Sequence, residues 1–290
     1  MYSNRDSSYL DTLFSIRLFL RDAWISSTVI CILALVIHHT FTPTIALLVF
    51  AIALGYVFSY SMNDYVDAEE DMKNEYKSQR NFYVLHPVSL GVAILVNSII
   101  VFIMIPIFLL YGVKGAIVLS AAIFISWAYS CQPLKIKFKP GLDVIAHSIF
   151  VISYPYFVIM YLLDFRWGRL DFFIFTLLVI GSAIIQLENQ VRDYEEDKLE
   201  GTTTTILLGL HKTELLIKFL TLLLIIIGGL GFLIIPDALF ILPFALIYSP
   251  LLIQRLFSKK GMVRSEGFIR VLILLEFGYA IALSLYLIVN

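Results

Sequence analysis

Asn63-Asp64-Tyr65-Val66-Asp67-Ala68-Glu69-Glu70-Asp71 closes one of the most apolar segments of a 290-residue chain that is 60% hydrophobic and only 15% charged. Read as a helix, Asn63 or Asp64, then Asp67, then Asp71 recur at i, i+3/i+4 and i+7, which is one face. Like charges at that spacing oppose each other by ~0.2–0.5 kcal/mol per pair. A carboxylate carried into hydrocarbon costs roughly 2.5–3.5 kcal/mol on insertion scales. A hard divalent cation offsets both costs, and Mg2+ held by carboxylates and a substrate phosphate is its usual form. The competing reading is a solvated acidic loop after a membrane helix.

Working outward, apolar runs of about 20 residues recur along the whole chain, the length a membrane crossing needs. Nine are predicted, over roughly 24–40, 44–64, 88–111, 114–130, 141–163, 171–191, 213–234, 237–256 and 267–289. No strand alternation interrupts them, so the expected fold is an all-α polytopic membrane protein, nine transmembrane helices in a single bundle. No linker or shift of composition divides the chain, and residues 1–290 read as one domain. The segment before residue 24 is broken by Arg17 and Arg21, and Leu10, Phe14 and Leu18 suit an interfacial amphipathic helix better than a signal peptide. Cys31 and Cys131 are too few for a disulfide framework or a thiolate metal site.

Lys and Arg fix the expected orientation. With nine spans, sixteen of the 21 basic residues fall on the N-terminal side of the bundle and three on the other. The positive-inside rule then places the N-terminus and the connections after helices 2, 4, 6 and 8 in the cytoplasm, in a multi-pass protein of the cell membrane.

A second acidic stretch lies on that same side, Gln186-Leu187-Glu188-Asn189-Gln190-Val191-Arg192-Asp193-Tyr194-Glu195-Glu196-Asp197. Asn189, Asp193 and Asp197 step by four, again one helical face. Two carboxylate faces at one mouth of a bundle are suited to hold two or three Mg2+ ions around a diphosphate, where metal ions stabilise charge on a leaving group. Lys73, Lys77 and Arg80 follow the first stretch, Arg192 and Lys198 belong to the second, and Lys135, Lys137 and Lys139 lie in the helix 4–5 connection. An apolar, aromatic interior suits an isoprenoid tail. Tyr56, Tyr60, Tyr65, Tyr129, Tyr154 and Tyr156 are candidates for cation–π contact with an allylic cation. Asn97, His147, Glu188 and Glu276 are polar groups inside predicted spans, His147 reading as an interhelical hydrogen-bonder first and a base second.

These residues resemble a known family. Asn63-Asp64-x-x-Asp67-x-x-x-Asp71 is similar to the first aspartate motif of the UbiA-type intramembrane prenyltransferases, and Arg80 sits where many members carry an arginine. The second stretch is similar in register, with Asp193, Asp197, Gly201, Thr204 and Leu208-Gly209. Tyr129-Ser130-Cys131-Gln132-Pro133-Leu134-Lys135 and Lys139-Pro140-Gly141-Leu142-Asp143 resemble the family's connection between helices 4 and 5. The resemblance implies Mg2+-dependent transfer of an isoprenyl group from an isoprenyl diphosphate to a lipophilic acceptor, expected to be an aromatic quinone precursor. It assigns Asp64, Asp67, Asp71, Asp193 and Asp197 to metal, the first two and last two of these being the catalytic aspartates. It assigns Asn63, Arg80, Lys135, Asn189, Arg192 and Lys198 to the diphosphate. The chain departs from the pattern at Arg80-Asn81, where many members have Arg-Pro, and at Gln186, where some aromatic prenyltransferases carry a third aspartate. Carotenoid, glycerol-lipid and polyprenyl-phosphate acceptors are the alternatives within this class. A cation-binding transporter is the alternative outside it, disfavoured because transporters place their ionisable groups near the midplane.

Overall fold

In a computed structural model of the chain, residues 19, 23–258 and 266–289 are described. The predicted interfacial helix before residue 24 and the basic residues 259, 260 and 264 lie outside them. The described residues are helical, with no strand. The long helices, in chain order, are α1 (Ala23–Ile37), α2 (Pro43–Asp71), α3 (Leu90–Leu109), α4 (Gly112–Ser130), α5 (Leu142–Leu162), α6 (Arg169–Arg192), α7 (Leu210–Ile234), α8 (Leu242–Phe257) and α9 (Glu266–Val289).

Seven crossings, α2 to α8 with the turn Pro236–Ile241 included in the last, are long and apolar enough to span a membrane. The first and last of the nine predicted spans correspond to shorter apolar stretches, Trp24–Ile37 and Val271–Leu285. Sequential helices pack side by side, α2 on α1 and α3, α7 on α6 and α8, and α9 returns onto α1 to close the ring. Helix α5 lies between α4 and α6 and also packs against α1. The buried core follows this plan, with Leu35 of α1, Leu48 of α2, Met104 of α3 and Tyr156 of α5 almost fully enclosed.

Two departures from regularity matter for the site. Thr42 caps α2, its hydroxyl accepting from the Ile45 N–H at 3.2 Å, and Pro43 occupies the first turn. From there α2 runs 29 residues without a break, about 43 Å at 1.5 Å per residue, against ~30 Å of hydrocarbon. The acidic stretch is therefore the overhanging end of α2 and not a loop, seven residues beyond the predicted limit of the span. Helix α5 contains a π-helical segment, Ser148–Ser153. Carbonyls loosened there are taken up by the Tyr56 hydroxyl, which donates toward Phe150 O (3.1 Å) and Val151 O (2.7 Å).

Candidate active site

The two acidic stretches meet at one end of the bundle. A cavity of about 400 Å³ opens between them and runs inward along α2, α4, α5 and α6. Asp64, Asp67 and Asp71 line one wall of its mouth, and Asn189, Asp193 and Asp197 the other. Asp64 and Asp67 are buried, while Glu69 points away and is exposed. The helical phase read from the sequence is the phase observed.

The second stretch differs from expectation in one respect. Helix α6 ends at Arg192, and a separate short helix, Tyr194–Glu200, carries Asp197. The four-residue step survives the junction because Asp193 N donates to Asn189 O (3.0 Å) and Asp197 N to Asp193 O (2.9 Å). One face is thus kept across two helices.

Basic side chains join the wall selectively. Arg80, Arg192, Lys77 and Lys137 line the cavity. Lys137 is hydrogen-bonded to Asp67, and Arg192 Nε lies 3.0 Å from Asp193 Oδ1. Lys77 Nζ lies 3.0 Å from Glu196 Oε2, and Asn74 bonds the same carboxylate. Lys135 and Lys198, expected to bind diphosphate, are not among the residues that line the cavity. Lys135 Nζ stands 3.8 Å from Glu70 Oε2 and over the Phe138 ring, and Lys198 pairs with Glu195 beside the Tyr194 ring. The 3₁₀ turn Ile136–Phe138 that follows Lys135 carries Lys137 to the wall instead.

Asn81, which stands where the family pattern favours proline, has structural work here. It is 1% exposed, and its Nδ2 donates to Asp64 O (2.7 Å) and Asp71 Oδ2 (2.8 Å). Its Oδ1 caps the turn Phe82–Leu85 by accepting from Tyr83 N (2.9 Å). Asn before an apolar helical turn is an N-cap signal visible in the sequence; the clamp on Asp71 is not. Ser130 reaches from α4 to donate to Asn63 Oδ1 at 3.0 Å.

Deeper, the wall becomes aromatic and then apolar. Tyr56, Tyr60, Tyr129 and Tyr154 line the cavity. Tyr65 is not among the lining residues, and Tyr156 is turned away, donating to Asp171 Oδ1 at 2.7 Å. His147 also lines the cavity. Ser182 Oγ donates to His147 O (3.0 Å) and lies 3.1 Å from its Nδ1. Of the other polar groups inside spans, Asn97 Nδ2 bonds Ala93 O, Glu276 accepts from the Tyr248 hydroxyl at 3.0 Å, and Glu188 is paired with Arg255. Arg255 therefore belongs to the last turn of α8, buried, and not to a basic loop.

The electrostatics of the mouth are those of crowded carboxylates. Asp197 is pushed up to about 7, first by burial and then by the Asp193 carboxylate, with Lys77 and Lys137 opposing. Glu200 is likewise raised to about 7 by burial and by the neighbouring Glu70. Burial works against the charge of Lys77, but its bond to Glu196 and the carboxylates of Asp193 and Glu200 outweigh it, and the amine sits above the ordinary lysine range. Among the described residues, no three carboxylate, imidazole or thiol groups already converge on one metal-sized point. The donor type fits a hard divalent cation nonetheless: two facing rows of carboxylate oxygens, in which burial and then crowding raise the carboxyl of Asp197.

The family model described as the UbiA prenyltransferase family matches residues 23–268, and the chain belongs to that family. It is a prenyltransferase by that membership. Solved structures share the fold. A UbiA homologue from Archaeoglobus fulgidus bound to GPP and Mg2+ is 18% identical, with a TM-score of 0.73, covering 93% of this chain and 99% of that one. The same homologue bound to DMAPP and Mg2+ gives a TM-score of 0.71 at 18% identity, over 92% and 98% of the two chains. Comparison with curated proteins gives no match.

Proposed function

We propose that this protein transfers an isoprenyl group from an isoprenyl diphosphate to a lipophilic, aromatic acceptor of the quinone-precursor type, in a Mg2+-dependent reaction. The observation that carries the reading is the continuity of one cavity, from two carboxylate rows flanked by Arg80, Arg192, Lys77 and Lys137 to an apolar floor of Ile52, Met104, Phe108 and Val158. Such a cavity matches a molecule with a polyanionic head and a hydrocarbon tail. The GPP and DMAPP bound with Mg2+ in the Archaeoglobus fulgidus homologue have that form.

In this reading Asp64, Asp67, Asp71, Asp193 and Asp197 hold the metal, and Asn63, Asn189 and the four basic side chains hold the diphosphate. Bound Mg2+ supplies charge neutralisation for the diphosphate as the allylic carbon–oxygen bond breaks. The guanidinium and ammonium groups share that charge and orient the leaving group. The faces of Tyr56, Tyr60 and Tyr154 stabilise the allylic cation, each by ~0.5–2 kcal/mol when dry. The Tyr129 hydroxyl, which accepts from Gln186 Nε2 at 3.2 Å, and His147 give the middle of the cavity polar groups. Those groups favour an acceptor bearing hydroxyl or carboxylate substituents over a pure hydrocarbon. We take the mouth to face the cytoplasm, a reading supported by the excess of Lys and Arg on the acidic side.

Purified protein incubated with farnesyl or geranylgeranyl diphosphate and a panel of hydroxylated aromatic acids tests this. Diphosphate release that requires Mg2+, disappears with EDTA and is stimulated by one acceptor is the expected result. Neither release nor binding of any prenyl diphosphate overturns it.

A further inference from the structure

Glu188, Asn189 and Gln190 are consecutive on α6, so their side chains leave the helix about 100° apart. The outer two are locked from different sides. Glu188 is 1% exposed and is held by Arg255 of α8 through two bonds of 2.7 Å. Gln190 is 3% exposed, and its Nε2 donates to Asp143 Oδ2 of α5 at 2.7 Å. Asn189 between them lines the cavity, which Gln190 borders as well. The rotation of α6 about its own axis is thereby fixed, and with it Asp193 one turn further on.

The Gln190 amide is also half of a clasp. Its Oε1 accepts from Thr205 N and Thr205 Oγ1, both at 3.0 Å. Asp143 is fully buried, and accepts from Thr204 N (2.7 Å), the Thr204 hydroxyl and Val144 N (2.8 Å). Every one of these donors is uncharged, so the carboxylate is held by hydrogen bonds alone and each donor matters. The helix Tyr194–Glu200, which carries Asp197, has no buried residue of its own. Its placement comes from the α6 junction at one end, the clasped Thr204–Thr205 pair at the other, and the Glu196 contacts at the surface.

We propose that Asp143 and Gln190 are positioning residues for the second acidic row: their clasp on Thr204 and Thr205 holds Asn189, Asp193 and Asp197 toward the cavity. The proposal rests on the metal- and diphosphate-binding reading of that row, and its test separates the two. Gln190→Leu removes the Gln190 half of the clasp and leaves Asp143 on Thr204, and Thr205→Val, which keeps the backbone bond, loosens it mildly. Three quantities are read on full-length purified protein: hydrogen–deuterium exchange of residues 194–205 without metal, Mn2+ binding from the paramagnetic signal of the free ion, and Mg2+-dependent diphosphate release. In Gln190→Leu, exchange over 194–205 rises while exchange in α2 is unchanged. Mn2+ binding weakens about ten- to a hundredfold, the usual cost of losing a group that orients ligands. The Mg2+ needed for half-maximal release rises by the same factor, while turnover at saturating Mg2+ is largely retained. Thr205→Val moves each quantity the same way by less. Unchanged exchange and Mn2+ binding in both variants overturns the proposal. So does exchange that rises equally in α2, which marks general loosening. If wild-type protein neither binds Mn2+ nor releases diphosphate, the functional reading fails, and the exchange data still decide whether the clasp holds the segment.

Discussion

The Arg255 guanidinium forks onto the Glu188 carboxylate through two hydrogen bonds of 2.7 Å, with both residues almost wholly buried between α8 and α6. The pair joins the C-terminal helices, none of whose described residues lines the cavity, to the helix that carries Asn189. Removing one partner leaves a buried uncompensated charge. Arg255→Met or Glu188→Leu is expected to cost about 3–5 kcal/mol, and the double replacement to recover most of it. Thermal unfolding of the three variants in one detergent measures this, and equal losses in single and double variants would contradict it.

Alanine at Asp64 or at Asp193 is expected to abolish Mg2+-dependent diphosphate release by more than a hundredfold, on the order of 3 kcal/mol of transition-state stabilisation. The protein still inserts and folds. Glu69→Ala, on the exposed side of the same helix, is expected to leave release within about twofold, in keeping with surface substitutions generally. Parallel assays after a matched unfolding check make the comparison.

With Asp197 as a metal ligand, as proposed, protons and metal compete there. Its carboxyl sits at about 7, raised by burial and by Asp193, whereas the unfolded chain releases that proton near ~4. Without metal, the folded state therefore binds more protons between about pH 4 and pH 7, and this group's contribution to stability falls as pH rises through that window. Metal binding needs the ionised form. Apparent Mg2+ affinity is expected to fall by up to about tenfold per unit below pH 7 and to level off above it, with proton uptake on metal removal. Titration calorimetry in two buffers of different ionisation enthalpy reads both.

Lysine position separates the cavity wall from its surroundings. Lys137→Met removes a cation bonded to Asp67 at the mouth and is expected to raise KM for the prenyl diphosphate by about tenfold or more. Lys135→Met and Lys198→Met remove partners of Glu70 and Glu195 outside that wall, and their effects are expected to stay within about threefold. Steady-state kinetics on the three variants decide it, and a Lys135→Met defect equal to that of Lys137→Met would move the diphosphate toward Lys135.

Gly201 has the Phe138 ring where a side chain would begin: a Cβ there would lie 2.7 Å from Phe138 Cγ. Gly201→Ala is expected to push the ring and the 3₁₀ turn behind it, displacing the neighbouring Lys137. The readout is a KM effect in the direction of Lys137→Met with a smaller loss of stability, about 1–3 kcal/mol for overpacking.

The residues explain why some of this was legible in the chain and some was not. Asp64, Asp67 and Asp71 follow a helical period in an uninterrupted helix, so local spacing alone gave their face. Asn189, Asp193 and Asp197 kept theirs only because i+4 bonds bridge a helix break that spacing does not reveal. That Lys137 and not Lys135 lines the cavity depends on a 3₁₀ turn, whose side chains follow a different period. The contacts of Asn81 with Asp71, of Gln190 with Asp143, and of Glu188 with Arg255 connect residues 10, 47 and 67 positions apart. No periodic signal encodes such pairings; they are set by which helices pack together. Arg255 shows the cost, because the count of basic loop residues took as solvent-facing a side chain that is interior.

The apolar floor formed by Ile52, Met104, Phe108 and Val158 also determines what the bundle does to the membrane that holds it. The cavity, charged at Asp67 and apolar at Ile52, follows fifteen residues of α2, about 22 Å of helical rise. Continued to the other face, it would be an ion leak. Its inner end is lined instead by hydrocarbon side chains, with Met104 and Phe108 almost completely enclosed. None of those four side chains carries a charge or a strong hydrogen-bonding group, so the inner end offers no polar station to the protons and cations that the acidic rows attract.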